Sequence, residues 1–155
     1  MKTTPPRRQQ KGGLAVEKYT LGESLGIANG LNNPLVLVET IRKGLPAKAI
    51  SMLADCLDLS IGSLEKILPV SHRTLQRYEK EHRSLPQDLS DHVVQITKIF
   101  IRAEEVFGSQ ERARKWLREP CLAFSGNPPI DFLDTFSGVR MVEDELGRIE
   151  YGVYA

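Results

Sequence analysis

Three histidines, two cysteines and a closely spaced pair of aspartates are the side chains here best equipped for bond chemistry. His72, His82 and His92 recur every ten residues. No two have the spacing that would put both imidazoles on one helix face, so they form no metal pair. Asp131 and Asp134 follow Pro128-Pro129, where acids suit the positive end of a starting helix better than paired acid–base work. Cys56 lies in an apolar helical stretch and reads as a small buried side chain. Gly12-Gly13, Gly22 and Gly26 follow no clear strand, so no phosphate-cradling loop is present. No catalytic residue, metal or cofactor is assigned, and the chain reads as a non-enzyme.

Recognition chemistry is better represented. At about 100° per helical residue, Leu75, Tyr78 and His82 share a face with Ser71. Arg73, Gln76, Arg77 and Lys80 gather on the opposite one. Arg and Gln can read base edges in a major groove, while Lys and hydroxyls hold phosphates. An ordinary amphipathic helix also carries charge on its exposed side, so both readings stay open. Glu79 and Glu81 weaken the positive field, and a dimer doubling the contacts is the usual remedy.

The final run, Leu146-Gly-Arg-Ile-Glu-Tyr-Gly-Val-Tyr-Ala155, is the other unusual feature. It closes on Tyr151, Val153 and Tyr154 with no charge after Glu150. Each large apolar side chain left in water forfeits roughly 1.5–3 kcal/mol, so this segment either packs on its own domain or fills a pocket on another protein.

Helices must position these groups. Residues 1–13 are polar, basic and rich in Pro and Gly, and read as a disordered arm. Pro34 starts a short helix that Gly44 ends, although its Val-rich centre also permits a strand. Pro46 opens a helix with Ile50, Leu53, Ala54 and Leu57 on one side. Ser60 caps a second, carrying Ile61, Leu64, Ile67 and Leu68 and stopped by Pro69. Ser71 caps a third, to about His82, and the pair has the punctuation of a helix-turn-helix. A long helix follows Pro86 and runs to Phe107, where Gly108 ends it. Ser109 caps another with Ala113, Trp116 and Leu117 on one side, Trp116 reading as core. After a turn around Ile130–Leu133, a last helix from about Ser137 to Leu146 precedes the apolar tail. The fold class is all-α, with no βαβ alternation.

Composition bounds the rest. The chain has 155 residues, 41% hydrophobic and 26% charged, with net charge +1, which suits one soluble domain or two small ones. Charge is uneven, basic in the first eighteen residues and acidic from Asp131 onward, suggesting different partners at the two ends. No signal-peptide pattern or span-length apolar run occurs, and two isolated cysteines fit a reducing compartment. A cytoplasmic location is expected.

Gly44-Leu45-Pro46 followed by Ser71-x-Arg73-Thr74-Leu75-x-Arg77 resembles the helix-turn-helix half of the Xre/MbcA/ParS antitoxins. Ala103-Glu-Glu-Val-Phe-Gly108, Ala113-x-x-Trp116-Leu117-x-x-Pro120, Pro129-Ile-Asp-Phe-Leu-Asp-Thr135, Gly138 and the closing run resemble that family's toxin-binding domain. The similarity covers roughly residues 41–155. It implies an Xre-like helix-turn-helix DNA-binding domain over 14–85 and a small helical toxin-binding domain over 86–155, ending in an inhibitory tail. It also implies a type II antitoxin that blocks the active site of a RES-domain, NAD-consuming toxin and represses its own operon, as a homodimer within a larger complex. By position, toxin contacts fall to Arg148, Glu150, Tyr151, Gly152, Val153 and Tyr154. DNA contacts fall to Ser71, His72, Arg73, Thr74, Gln76, Arg77 and Lys80. The alternative is a helix-turn-helix regulator whose C-terminal half only dimerises.

Overall fold

Apolar residues at helical spacing from Leu89 to Phe107 build the longest element of the chain, and the rest is arranged around it. The computed structural model describes residues 30–152 together with Gly22, Leu25 and Ile27. The basic arm at 1–13 and the tail residues Val153 and Tyr154 lie outside the described residues. Seven α-helices occur in order among these: α1 (Pro34–Lys43), α2 (Lys48–Leu57), α3 (Ile61–Leu64), α4 (His72–Lys80), α5 (Gln87–Phe107), α6 (Gln110–Arg118) and α7 (Phe136–Tyr151). Short 3-10 turns occupy Gly30–Asn32, Leu122–Phe124 and Pro129–Phe132. Among the described residues the only β pairing is the isolated bridge between Pro46 and Ser84. The all-α expectation holds.

Helix α5 is the central beam, packing against α1, α2, α6 and α7. Val93, Ile96 and Phe100 are fully buried along it, each contributing on the order of 1.5–3 kcal/mol by leaving water. Leu25 and Ile27 are also completely buried, so a stretch that looked patternless supplies core residues. Pro34 starts α1 with the Asn33 side chain accepting from Leu35 and Val36 backbone N–H groups at 3.1 and 3.4 Å. That cap settles the choice between helix and strand.

Gly44 ends α1 at φ +86°, and a Cβ there would lie 2.3 Å from the Leu85 carbonyl oxygen. The absence of a side chain lets the two segments touch. Leu85 N–H donates to Leu45 O at 2.8 Å, and buried Ser90 Oγ accepts from Leu45 N–H at 3.0 Å. The start of the helix-turn-helix is thereby fastened to the start of α5.

Two helix ends differ from the sequence reading. The expected helix from Ser60 to Leu68 is α-helical only over Ile61–Leu64. Tighter bonds, Lys66 N–H to Ser63 O at 3.2 Å and Ile67 N–H to Leu64 O at 3.0 Å, then carry the chain toward Pro69. Ile67 and Leu68 are still buried. The last helix does not stop at Leu146 but continues through Tyr151, where Gly152 caps it at φ +64°. Gly147 weakens a helix by roughly 1 kcal/mol relative to Ala, yet flanking side chains anchored on both sides of it hold the helix together. Arg148, Glu150 and Tyr151 are therefore helical residues.

Candidate functional site

The first candidate surface is the outer face of α4. Ser71 adopts extended geometry and its Oγ accepts from Thr74 N–H at 3.1 Å. It also donates to Thr74 Oγ1 at 2.9 Å. These two hydroxyls hold the helix start, which leaves them less free for phosphate than the sequence suggested. His72 is exposed, and its backbone N–H donates to the Glu65 carboxylate. An acid from the preceding turn thus occupies the positive end of α4. Leu75 is buried, packing α4 into the space bounded by Ile50, Ile61, Leu64 and Val70. That contact fixes the angle at which α4 leaves the core.

Arg73, Gln76, Arg77 and Lys80 are all exposed, and with Thr74 and Glu81 they line one shallow concavity. None of Arg73, Arg77 and Lys80 forms an ion pair among the described residues. The Arg77 guanidinium lies 5.6 Å from the Tyr78 ring centre, and Arg83 lies 5.7 Å from the same ring. His82 departs from expectation: it is exposed, beyond the helix, at φ +51°, because α4 ends earlier than its apolar pattern implied. Of the two acids that threatened the positive field, Glu79 is drawn off it, whereas Glu81 stays at its rim. Glu79 accepts from Ser51 Oγ at 2.7 Å, and Glu81 pairs with Arg83 at 3.4 Å.

The second candidate surface is α7. Thr135 Oγ1 accepts from Gly138 N–H at 2.9 Å and starts the helix. Val139, Val142 and Leu146 are buried against α5. On the outward side stand Phe136, Arg140, Met141, Asp144 and Tyr151, with Phe136 51% and Tyr151 78% exposed. Leu122, in the 3-10 turn before it, is 96% exposed. Soluble surfaces tolerate scattered apolar groups, but Phe136, Met141 and Tyr151 recur along one helix. The sequence reading missed Phe136, Met141 and Leu122. Continuing the helical pattern past Gly147 would have placed Phe136 about 60° and Met141 about 80° from Tyr151, on either side of it.

Of the six residues expected to meet a partner at this end, Arg148, Glu150, Tyr151 and Gly152 are exposed. Arg148 Nη2 lies 2.7 Å from the Glu145 carboxylate, itself almost wholly buried. Glu150 is joined to Arg102 of α5. These two are tied to their own domain in the structure, whereas Val153 and Tyr154 lie outside the described residues.

Helix α6 links the two surfaces. Arg114 Nε donates to Cys56 O at 2.6 Å, and Arg118 donates to the carbonyls of Leu57 and Asp58. Two cations therefore cap the negative end of α2. Trp116 is half-buried rather than fully core, its ring 5.3 Å from that of Phe107. Buried His92 Nε2 is 2.6 Å from Leu133 O. A carbonyl only accepts, so Nε2 carries the proton, and the imidazole pins α5 to the turn before α7. No group of three metal-ligating side chains occurs among the described residues, and no helix described is long and apolar enough to cross a membrane.

A helix-turn-helix with a basic outer face, joined to a helical unit whose last helix presents aromatic and apolar residues, defines a DNA-binding protein with a second docking surface. Residues 36–98 match the antitoxin Xre-like helix-turn-helix domain, and residues 102–152 match the antitoxin Xre/MbcA/ParS C-terminal toxin-binding domain. The chain belongs to the Xre/MbcA/ParS antitoxin family. It is 35% identical to the antitoxin Xre of Pseudomonas putida over 88 residues, 57% of this chain and 54% of that relative, so the similarity spans about half the relative's length. It is 25% identical over 132 residues to the Prs ADP-ribosylating antitoxin of Sphingobium sp., covering 79% of this chain and 83% of the relative. Its fold is also that of a chain in the crystal structure of the M. tuberculosis MbcT–MbcA toxin–antitoxin complex. That match has a TM-score of 0.51 and 18% identity and covers 70% of this chain and 96% of that one.

Proposed function

We propose that this antitoxin neutralises a RES-domain toxin that consumes NAD, by seating the end of α7 and residues 152–155 over the toxin's active site, and that it represses its own operon through α4. The observation carrying the first part is the exposure of Tyr151 at the end of a helix whose other side is buried. An NAD pocket accommodates rings and anionic groups, and Tyr151 with the residues after it offers aromatic complements. The naming of the Sphingobium relative for Prs ADP-ribosylation supports the choice of chemistry, since ADP-ribosyl transfer draws on NAD. Blocking is steric: the antitoxin contributes no catalytic group.

The second part rests on Arg73, Gln76, Arg77 and Lys80. Arg and Gln would read base edges, and Lys80 a phosphate. One α4 offers few contacts, so the reading includes a cytoplasmic homodimer bound across two half-sites. DNA binding is assigned to residues 14–85 and toxin binding to 86–155, with α5 packed against both.

Growth rescue tests the inhibitory reading. Cells expressing the toxin encoded beside this gene receive either the full chain or a version stopped after Ile149, both checked for helicity by circular dichroism. Rescue by the full chain alone assigns inhibition to the end of α7 and residues 152–155. Equal rescue by the shortened chain assigns it to the globular surface. Absence of rescue and of toxin binding by either version favours the regulator whose C-terminal half only dimerises.

A further inference from the structure

The last turn of α7 is poorly held by apolar contact. Leu146 is its final fully buried residue. Gly147 brings no side chain, Ile149 is half-buried, and Glu150 and Tyr151 are exposed. Gly152 N–H caps the Arg148 and Ile149 carbonyls of this turn, but a cap does not fasten the turn to the core. A side-chain tie from α5 does. Arg102 donates through Nη2 to Glu150, while its Nη1 lies 3.7 Å from Glu105 one turn along its own helix. The side chains of Arg102 and Glu150 are only 35% and 36% exposed. Arg102 sits in a groove lined also by Leu31, Lys98, Val139 and Glu143, which limits the pair's access to water.

We propose that Arg102 is the positioning residue for the toxin-contacting end of α7, and that Glu150 serves as its internal partner rather than as a toxin contact. This rests on the toxin-binding reading above. The pair ties the last turn to the central beam, so that Tyr151 is held in one fixed orientation on the domain. Binding from a pre-ordered end avoids the entropy of ordering that end on contact. In this proposal Arg102 acts through Glu150, with which it is joined, and not as a toxin contact.

The test is toxin affinity by calorimetry, using the full antitoxin chain and a catalytically inactive form of the adjacent toxin. Variants are Arg102→Gln, Glu150→Gln, the charge swap Arg102→Glu with Glu150→Arg, and Tyr151→Ala. Each single ion-pair variant is expected to weaken binding roughly three- to tenfold, as for loss of an ordering contact near a hot spot. Amide exchange at Ile149–Tyr151 should accelerate in step, while the melting temperature stays near that of the parent. The swap should restore affinity to within about twofold of the parent, because a reversed pair still closes the same gap, whereas a toxin group complementary to Glu150 would reject arginine. Parent-like binding by Arg102→Gln overturns the proposal, as does failure of a folded swap variant to recover. If Tyr151→Ala weakens binding while Arg102→Gln does not, the toxin-facing assignment of α7 stands and only the positioning role falls. If Tyr151→Ala also binds normally, both fall.

Discussion

Ser51 donates a hydrogen bond to Glu79 at 2.7 Å, and this contact between α2 and α4 turns an acid of the recognition helix away from its basic face. Ser51→Ala should release the carboxylate toward Arg73 and Lys80. Operator affinity measured by fluorescence anisotropy should then fall about two- to fourfold at low salt, the effect fading as salt screens it. Glu79→Gln should raise affinity. Unchanged binding in both variants would show that Glu79 does not act on the DNA-facing field.

Arg77 and Lys80 should separate by kind of loss. Lys80→Ala, at the position proposed to contact phosphate, should weaken specific and random DNA alike and flatten the slope of log affinity against log salt by about 1 per protomer. Arg77→Ala, at a position proposed to read a base, should reduce discrimination between operator and random duplex by roughly 1–3 kcal/mol. Equal effects on both duplexes from Arg77→Ala would move that residue to the phosphate class.

Two glycines of α7 should respond oppositely to alanine. A Cβ on Gly138 would sit 1.8 Å from the Phe132 carbonyl oxygen, so backbone must shift, and Gly138→Ala should lower stability by about 2–3 kcal/mol, at the upper end for overpacking. Nothing lies within 4 Å of the corresponding point on Gly147. Gly147→Ala should stabilise by up to about 1 kcal/mol through helix propensity. Urea melts of the two variants check both signs.

Removing the cations at the end of α2 should loosen one half of the molecule from the other. Arg114→Ala leaves the Cys56 carbonyl without its 2.6 Å donor, and a loss of about 1–3 kcal/mol is expected for a charge-assisted bond. Faster amide exchange in α2 than in α7 would locate the damage. A uniform change in both helices would argue against a local role for Arg114.

Burial raises the pKa of the Cys56 thiol, opposed by the nearby Arg114. A thiol whose folded value exceeds its unfolded one favours the protonated, folded state. That contribution is complete below the unfolded value and disappears as pH rises through the folded one. In a Cys121→Ser background, iodoacetamide should label the urea-unfolded chain faster than the native chain at the same alkaline pH. Cys56→Ala should reduce the alkaline loss of stability.

Local chemistry made much of this fold legible. Ser60, Ser71 and Ser109 each cap the helix that follows, Pro34 starts one, and Gly44 and Gly108 each end one, because caps act within a few residues of chain. Gly147 misled for the same reason: whether a helix survives a glycine depends on distant partners, here Arg102 and the surface of α5. Leu25 and Ile27 were hidden because two buried residues in an irregular stretch produce no period. On the DNA side, the face of Arg73, Gln76, Arg77 and Lys80 followed from angular spacing. The Ser51–Glu79 contact joins residues on different helices, so no spacing could reveal it. On the toxin side, composition singled out Tyr151 but left open whether it packs on its own domain, and the ties of Arg148 to Glu145 and of Glu150 to Arg102 were not readable.

The two family matches meet inside one uninterrupted helix, ending at residue 98 and resuming at 102, where Ile99, Phe100 and Ile101 are all buried. The helix-turn-helix domain and the toxin-binding domain are therefore carried on one continuous joint. A hybrid that grafts the toxin-binding half of one antitoxin onto the DNA-binding half of another must preserve helical phase across that joint, since one inserted residue would rotate everything downstream by about 100°. It must also match the volume of the three buried side chains.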